Sequence, residues 1–213
     1  MTDVGVLITF EGTEGAGKST LIKKLQEALA SARFGFQKVV LTREPGGSPV
    51  AEKIRSILLG HPMDRWTELF LYEASRAEHL AKTILPALNA GNIVLCDRFT
   101  DSSLAYQSFA RGLSWKDVKA LNHYATQGIK PQLSFLIDID PELGLSRAQE
   151  HNRFEAEGLE FQKKVRQGFL KSVREDRKRW TVVRPGTRTS DEIAAEVLLH
   201  IVKRFKKRFK GVA

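Results

Sequence analysis

The stretch Gly5-Val-Leu-Ile-Thr-Phe-Glu-Gly-Thr-Glu-Gly-Ala-Gly-Lys-Ser19 carries the reading from which the rest follows. Its first part, Gly5 to Phe10, is a short apolar, β-rich run that reads as a buried strand. Its second part, Gly12 to Ser19, matches the pattern G-x-x-x-x-G-K-[ST] in full, directly after that strand and at the opening of a helix. Gly12, Gly15 and Gly17 permit a tight backbone path on which successive amide hydrogens point inward at phosphate oxygens. The helix that follows adds the positive end of its dipole. Lys18 would reach the β and γ phosphates as a mobile point charge, and the Ser19 hydroxyl would hold magnesium. Gly12, Thr13, Glu14, Gly15, Ala16, Gly17, Lys18, Ser19 and Thr20 therefore form the expected ATP-binding loop. A chance glycine turn with a surface lysine is the competing reading, and the strand–loop–helix context argues against it. The motif is silent on the fate of the γ phosphate.

Outward from this loop, Ser19 to Ala32 carries Leu21, Ile22, Leu25 and Leu29 at helical spacing. Lys38 to Thr42, Asn92 to Cys96, Leu133 to Asp138 and Trp180 to Val183 are further strand candidates. Between them, Val50 to Leu59, Thr67 to Asn89 and Asp191 to Phe205 read as helices, with Pro86 kinking the second near its end. Apolar strands alternating with amphipathic helices imply a three-layer α/β fold, a five-stranded parallel sheet covered on both faces. Open sheets of this kind bind ligands at the carboxyl edge of their strands. With 213 residues and no linker, repeat or low-complexity segment, the chain is expected to form one P-loop domain over 1–213.

One cysteine, Cys96, excludes an intrachain disulfide, and it reads as strand filler rather than a nucleophile. The start, Met1-Thr-Asp-Val-Gly5, lacks a basic leader region, and Val6 to Phe10 is too short for a membrane span, so a cytoplasmic setting is expected. The five histidines show no ligand spacing, so no zinc site is expected. A formal charge of +9 suits an acidic partner. Part of it lies in the tail Lys203 to Lys210, which reads as the solvated end of a final helix rather than a polyanion site.

Three further clusters fall at or after predicted strand ends. In Thr42-Arg-Glu-Pro-Gly-Gly47, an arginine on a rigid turn can grip a phosphate bidentately, although alone it reads equally as an ordinary turn with a solvated Arg43. Asp97 closes an apolar strand where a carboxylate would bind magnesium directly or through water, and Arg98 beside it would neutralise an acceptor phosphate. Arg147 to Gly158 is rich in charge. Transfer between nucleotides needs water excluded, and a polar lid carrying arginine would supply closure and charge together, although alone the stretch reads as a solvated helix surface.

With these residues in place, the chain resembles bacterial thymidylate kinases over nearly its whole length. The likeness rests on Phe10 to Ser19, Thr42 to Gly47, Ala74-Ser-Arg76 with His79, Asp97-Arg98-Phe99 with Asp101-Ser-Ser-Leu-Ala-Tyr-Gln107, and Asn152-Arg153, in the family's order and spacing. The resemblance implies phosphorylation of dTMP by ATP-Mg to give dTDP for dTTP synthesis, in a homodimer needing neither nucleic acid nor membrane. It implies that Arg43 and Arg98 hold the acceptor 5′-phosphate, Arg76 bonds the thymine edge, and Ser103 and Gln107 lie near the base. Tyr106 would stand under the sugar and disfavour a 2′-hydroxyl, Glu14 would meet the 3′-hydroxyl or acceptor region, and Arg147 would lie against adenine. The P-loop holds no arginine, so the resemblance assigns the catalytic arginine to Arg153 in the lid. The ring that stacks on thymine is Tyr72, or Phe70 in a shifted register. Arg184-Pro-Gly-Thr-Arg188 departs from the family pattern near adenine.

Two other functions compete. One keeps the kinase and changes the acceptor to a deoxynucleoside or another monophosphate. The other is a P-loop switch or ATPase acting on a nucleic acid or protein through the basic tail, which would need a water-orienting residue that the sequence does not offer.

Overall fold

The computed structural model describes residues 5–31, 38–147 and 157–206. Five strands, β1 (Val6–Glu11), β2 (Val39–Arg43), β3 (Ile93–Asp97), β4 (Leu133–Ile137) and β5 (Trp180–Val183), form one sheet in the order β2-β3-β1-β4-β5. Every pairing is parallel. The helices are α1 (Lys18–Ser31), α2 (Pro49–Gly60), α3 (Arg65–His79), α4 (Leu85–Asn89), α5 (Thr100–Ser103), α6 (Trp115–Ala125), α7 (Pro141–Arg147), α8 (Gly158–Glu175) and α9 (Ser190–Arg204).

Side chains alternate across β1 with the period of a strand. Val6, Ile8 and Phe10 pack with Leu21, Ile22, Leu25 and Leu29 of α1 and with Ile193, Val197 and Ile201 of α9. Leu7 faces the other way, with Val94 and Cys96, into Leu80, Ile84 and Leu88. Beside that second face, Phe161, Val165 and Phe169 of α8 cover Leu136 and Trp180. These are the three layers the apolar runs predict.

Local chemistry sets the helix starts. The Ser48 side chain accepts from the Ala51 N–H with Pro49 at the first helical position, and Asp64 accepts from the Trp66 N–H. Thr189 and Glu192 form a reciprocal capping box on α9. The helix expected over 67–89 begins at Arg65 and passes through a wide π-helical turn, Leu80–Ile84, before α4. That turn precedes Pro86, which has no N–H to continue the α ladder. A second wide turn, Leu104–Ala110, continues α5.

In this strand order the connection after β1 and the one after β3 leave in opposite directions across the sheet. They open a crevice at the carboxyl edge, where ligands of such sheets bind. The Gly12–Ser19 loop and the Asp97–Arg98 step meet there. The segment 148–156, including Arg153, lies outside the described residues, as do tail residues 207–213.

Candidate active site

The glycine loop leaves β1 with positive φ at Gly12, Gly15 and Gly17. Gly15 is forced by contact as well: a Cβ there would stand 2.0 Å from the Gly144 carbonyl oxygen on α7. The loop ends on Lys18, whose Nζ donates to the carbonyls of Gly12 at 3.3 Å and Thr13 at 3.0 Å. An ammonium carries three hydrogens, so one remains for a phosphate oxygen. Burial, followed by the neighbouring Arg98 charge, lowers the Lys18 pKa from its ordinary value.

Arg98 reaches the same point from β3. Its Nη1 donates to the Gly12 carbonyl at 2.9 Å and its Nη2 to Glu14 Oε1 at 2.8 Å. The guanidinium lies 5.2 Å from the Tyr106 ring centroid. Burial disfavours its charge, but Glu14 foremost, with Tyr106, Asp97 and Glu11, outweighs burial and raises its pKa. Arg98 holds φ 67, a left-handed conformation uncommon for a side chain of this size. Glu11 buttresses the step that follows, accepting from the Phe99 N–H at 2.8 Å and from Ser102 Oγ at 2.6 Å.

Ser19 Oγ donates to Asp97 Oδ2 at 2.9 Å, while Asp97 Oδ1 is buried without a hydrogen-bond partner. A hydroxyl beside a carboxylate with a spare oxygen fits magnesium, which takes one or two protein oxygens and completes its shell with water and phosphate. Among the described residues no group of three or more His, Cys, Asp or Glu gathers to hold a metal.

Next to Arg98 opens a cleft of about 600 Å³, its wall including Glu14, Tyr72, Arg76, Ser103, Tyr106 and Gln107. Each is a residue expected from the sequence. Arg76 is 1% exposed and held on all sides. Its Nε donates to Glu44, its Nη1 to Glu73 and Asn122, and its Nη2 to the Phe99 carbonyl. Burial disfavours charge on Arg76, yet Glu44 and Glu73 outweigh it and raise the pKa. His79 bridges Glu44 to Thr42, so the Arg-Glu-Pro-Gly-Gly turn and α3 share one buried polar cluster. The Tyr106 hydroxyl donates to Glu14 Oε1 at 3.2 Å, and its ring meets Phe161 and Phe169 edge-on.

The structure separates the two stacking candidates. Tyr72 lines the cleft on the face of α3 that carries Leu69 and Arg76. Phe70 is 54% exposed on the opposite face, stacked on Trp66 with centroids 5.9 Å apart. Arg43 is not among the cleft-lining residues: its Nη2 pairs with Glu52 at 3.0 Å in a half-exposed bridge. Arg55 of α2 lines the cleft instead, with Nη1 on the Pro45 carbonyl at 2.9 Å. Sequence reasoning missed Arg55, although Ala51, Arg55 and Leu58 share one helical face and its neighbours on it are buried. It also missed Glu44, Glu68 and Asn122, buried polar groups whose partners lie far along the chain, and Glu73, buried beside Arg76 one turn along α3.

A second hollow of about 650 Å³ adjoins the P-loop, lined by Thr20, Arg147, Pro185, Gly186 and Arg188 among others. Residues of the 184–188 stretch thus share this hollow with Arg147 and with Thr20 of the helix that the P-loop opens. Arg153 lies outside the described residues.

Comparison with known proteins agrees with this geometry. A family model described as thymidylate kinase matches residues 10–197. The chain is 42% identical over 214 residues to the thymidylate kinase of Enterococcus faecalis, covering 96% of this chain and 99% of that protein. It is 45% identical over 214 residues to the thymidylate kinase of Geotalea daltonii, covering 94% and 98%. A crystal structure of thymidylate kinase from Ehrlichia chaffeensis matches with TM-score 0.79 at 32% identity, over 93% of this chain and 99% of that one.

Proposed function

The chain belongs to the thymidylate kinase family, and from that premise we propose how its own residues carry the reaction. It phosphorylates dTMP to dTDP with ATP as phosphoryl donor, a step of dTTP synthesis. One observation supports the residue assignment most: Lys18 and Arg98 both donate to the Gly12 carbonyl, so donor loop and acceptor cleft meet at one point.

In the transfer, an oxygen of the acceptor 5′-phosphate bonds to the γ phosphorus while the bond from that phosphorus to the β–γ bridging oxygen breaks. ADP leaves with the electron pair. The attacking oxygen is already anionic, so no general base is required, and positioning plus charge compensation carry catalysis. Lys18 steadies the β and γ oxygens of ATP. Arg98 and Arg55 hold the acceptor phosphate, with Arg43 bracing α2 through Glu52. Tyr72 stacks on the base, Arg76 with Ser103 and Gln107 meets its edge, and Tyr106 under the sugar opposes a 2′-hydroxyl. Arg147 packs against adenine. Arg153 brings the remaining positive charge, a contribution on the order of 10³–10⁵ in rate where such arginines act.

Ser19 and Asp97 would hold magnesium, which supplies Lewis-acid compensation of phosphate charge when bound. We also infer a cytoplasmic site of action, in keeping with nucleotide substrates and one buried thiol; no helix among the described residues is long and apolar enough to cross a membrane. A homodimer is the matching assembly, supported by the exposed Val50, Ile57, Trp66 and Phe70 on α2 and α3.

A coupled ADP-release assay over nucleosides and monophosphates tests the reading. The expected result is a preference for dTMP, a KM for dTMP raised about tenfold or more by Arg55→Ala and less by Arg43→Ala, and a kcat collapse in Arg153→Ala. Preference for another acceptor, or wild-type turnover by Arg153→Ala, would overturn the corresponding assignment.

A further inference from the structure

We infer that Glu68, which is not among the cleft-lining residues, selects the base by fixing the polarity of the Gln107 amide. Glu68 projects from the inner face of α3 and is 0% exposed. One of its oxygens, Oε1, accepts from Gln107 Nε2 at 2.8 Å and from Arg111 Nε at 2.7 Å. An ionised carboxylate has only lone pairs to offer, and Arg111 supplies its counter-charge. The end of Gln107 that faces Glu68 is therefore the NH₂ group. Gln107 is itself 2% exposed and part of the cleft wall, so the end it offers a ligand is the carbonyl oxygen, an acceptor.

Arg76 sets the complementary half. A guanidinium has five N–H donors. Four are committed, to Glu44, Glu73, Asn122 and the Phe99 carbonyl, which leaves one Nη2 hydrogen for the cleft. The wall thus presents one fixed donor and one fixed acceptor. Thymine carries the matching pair, the O4 acceptor beside the N3–H donor. Cytosine carries the reverse, an N4 amino donor beside the N3 acceptor, and would leave both wall groups unpaired. Buried groups left unpaired are what gives a polar site its discrimination. An amide can rotate to exchange its donor and acceptor ends; a carboxylate behind it removes that freedom. Glu68 is accordingly a positioning residue, acting through Gln107.

This rests on the dTMP acceptor reading above, and the two fail separately. Were that reading wrong, the wild-type enzyme itself would show no preference for dTMP over dCMP. Given that preference, Glu68→Gln frees the Gln107 amide to turn. We expect KM for dTMP to rise roughly tenfold with kcat for dTMP within about twofold, and the dTMP-to-dCMP ratio of kcat/KM to fall roughly tenfold. In a Gln107→Leu background the same substitution should change that ratio little, because the group it acts through is gone. Glu68→Asp draws the carboxylate back by one methylene while keeping the charge for Arg111. It should move selectivity the same way to a smaller extent, and it decides the matter if Glu68→Gln does not fold. A selectivity ratio unchanged in both variants, or an effect undiminished without Gln107, would sink the assignment.

Discussion

Glu11 ends β1 on the sheet face opposite Phe10, fully buried, with both oxygens taken by the step that carries Arg98. Burial, followed by the Asp101 charge, pushes its carboxyl up to about 8. Between the ordinary value of 4.5 and about 8, the native state keeps a proton that the unfolded chain has released. Stability contributed by this group is therefore fully present below pH 4.5 and falls as pH rises to 8, by on the order of a few kcal/mol. Glu11→Gln should flatten that decline: the wild-type minus variant difference in urea midpoint should change between pH 5 and pH 8. Parallel profiles would remove Glu11 from the pH response. Not all residues of the site were equally legible. Lys18 and Ser19 sit in a local pattern whose spacing is itself the mechanism. Tyr72 and Phe70 stayed open in the sequence and Arg55 went unnoticed, although Tyr72 shares its helical face with Leu69 and Arg55 shares its own with Ala51 and Leu58, all buried neighbours. Glu68 looks like any helix glutamate, because what makes it matter is an arginine and an amide brought alongside by the fold.

Among the elements, the strands were legible because each is an apolar run bounded by turn residues or by the charge that ends it. The wide turn Leu104–Ala110 was not, since no residue type within it marks the extra backbone. Its shape goes with α8, which packs so closely that a Cβ on Gly168 would stand 2.7 Å from the Ala105 Cα and 2.9 Å from the Phe109 Cβ. Backbone cannot yield as a side chain tip can. Gly168→Val should therefore cost about 2 kcal/mol or more, seen as a lowered melting temperature. Tyr106 and Gln107 ride on the displaced turn, so KM for dTMP should rise more than KM for ATP. A variant with unchanged melting would mean that α8 can move away freely.

For the whole molecule, Val50 and Ile57 on α2 and Trp66 and Phe70 on α3 are large apolar side chains 36–54% exposed, surface that a partner could cover. If a second copy covers it, the wild-type chain sediments as a dimer at micromolar concentration and Ile57→Asp shifts it to monomer. A wild-type monomer, or a variant that stays dimeric, would point the pairing elsewhere. The charge of +9 falls within the same frame, since both substrates, ATP and dTMP, are anions. Arg76 leaves a last consequence for chemists who design nucleoside analogues. Pinned by four acceptors, it could not retreat from a ring substituent if it meets the base edge as proposed, whereas Arg98 and Glu14 keep 15% and 23% of their side-chain surface open. Bulk added at the pyrimidine rim should be rejected, and bulk replacing the phosphate should find room.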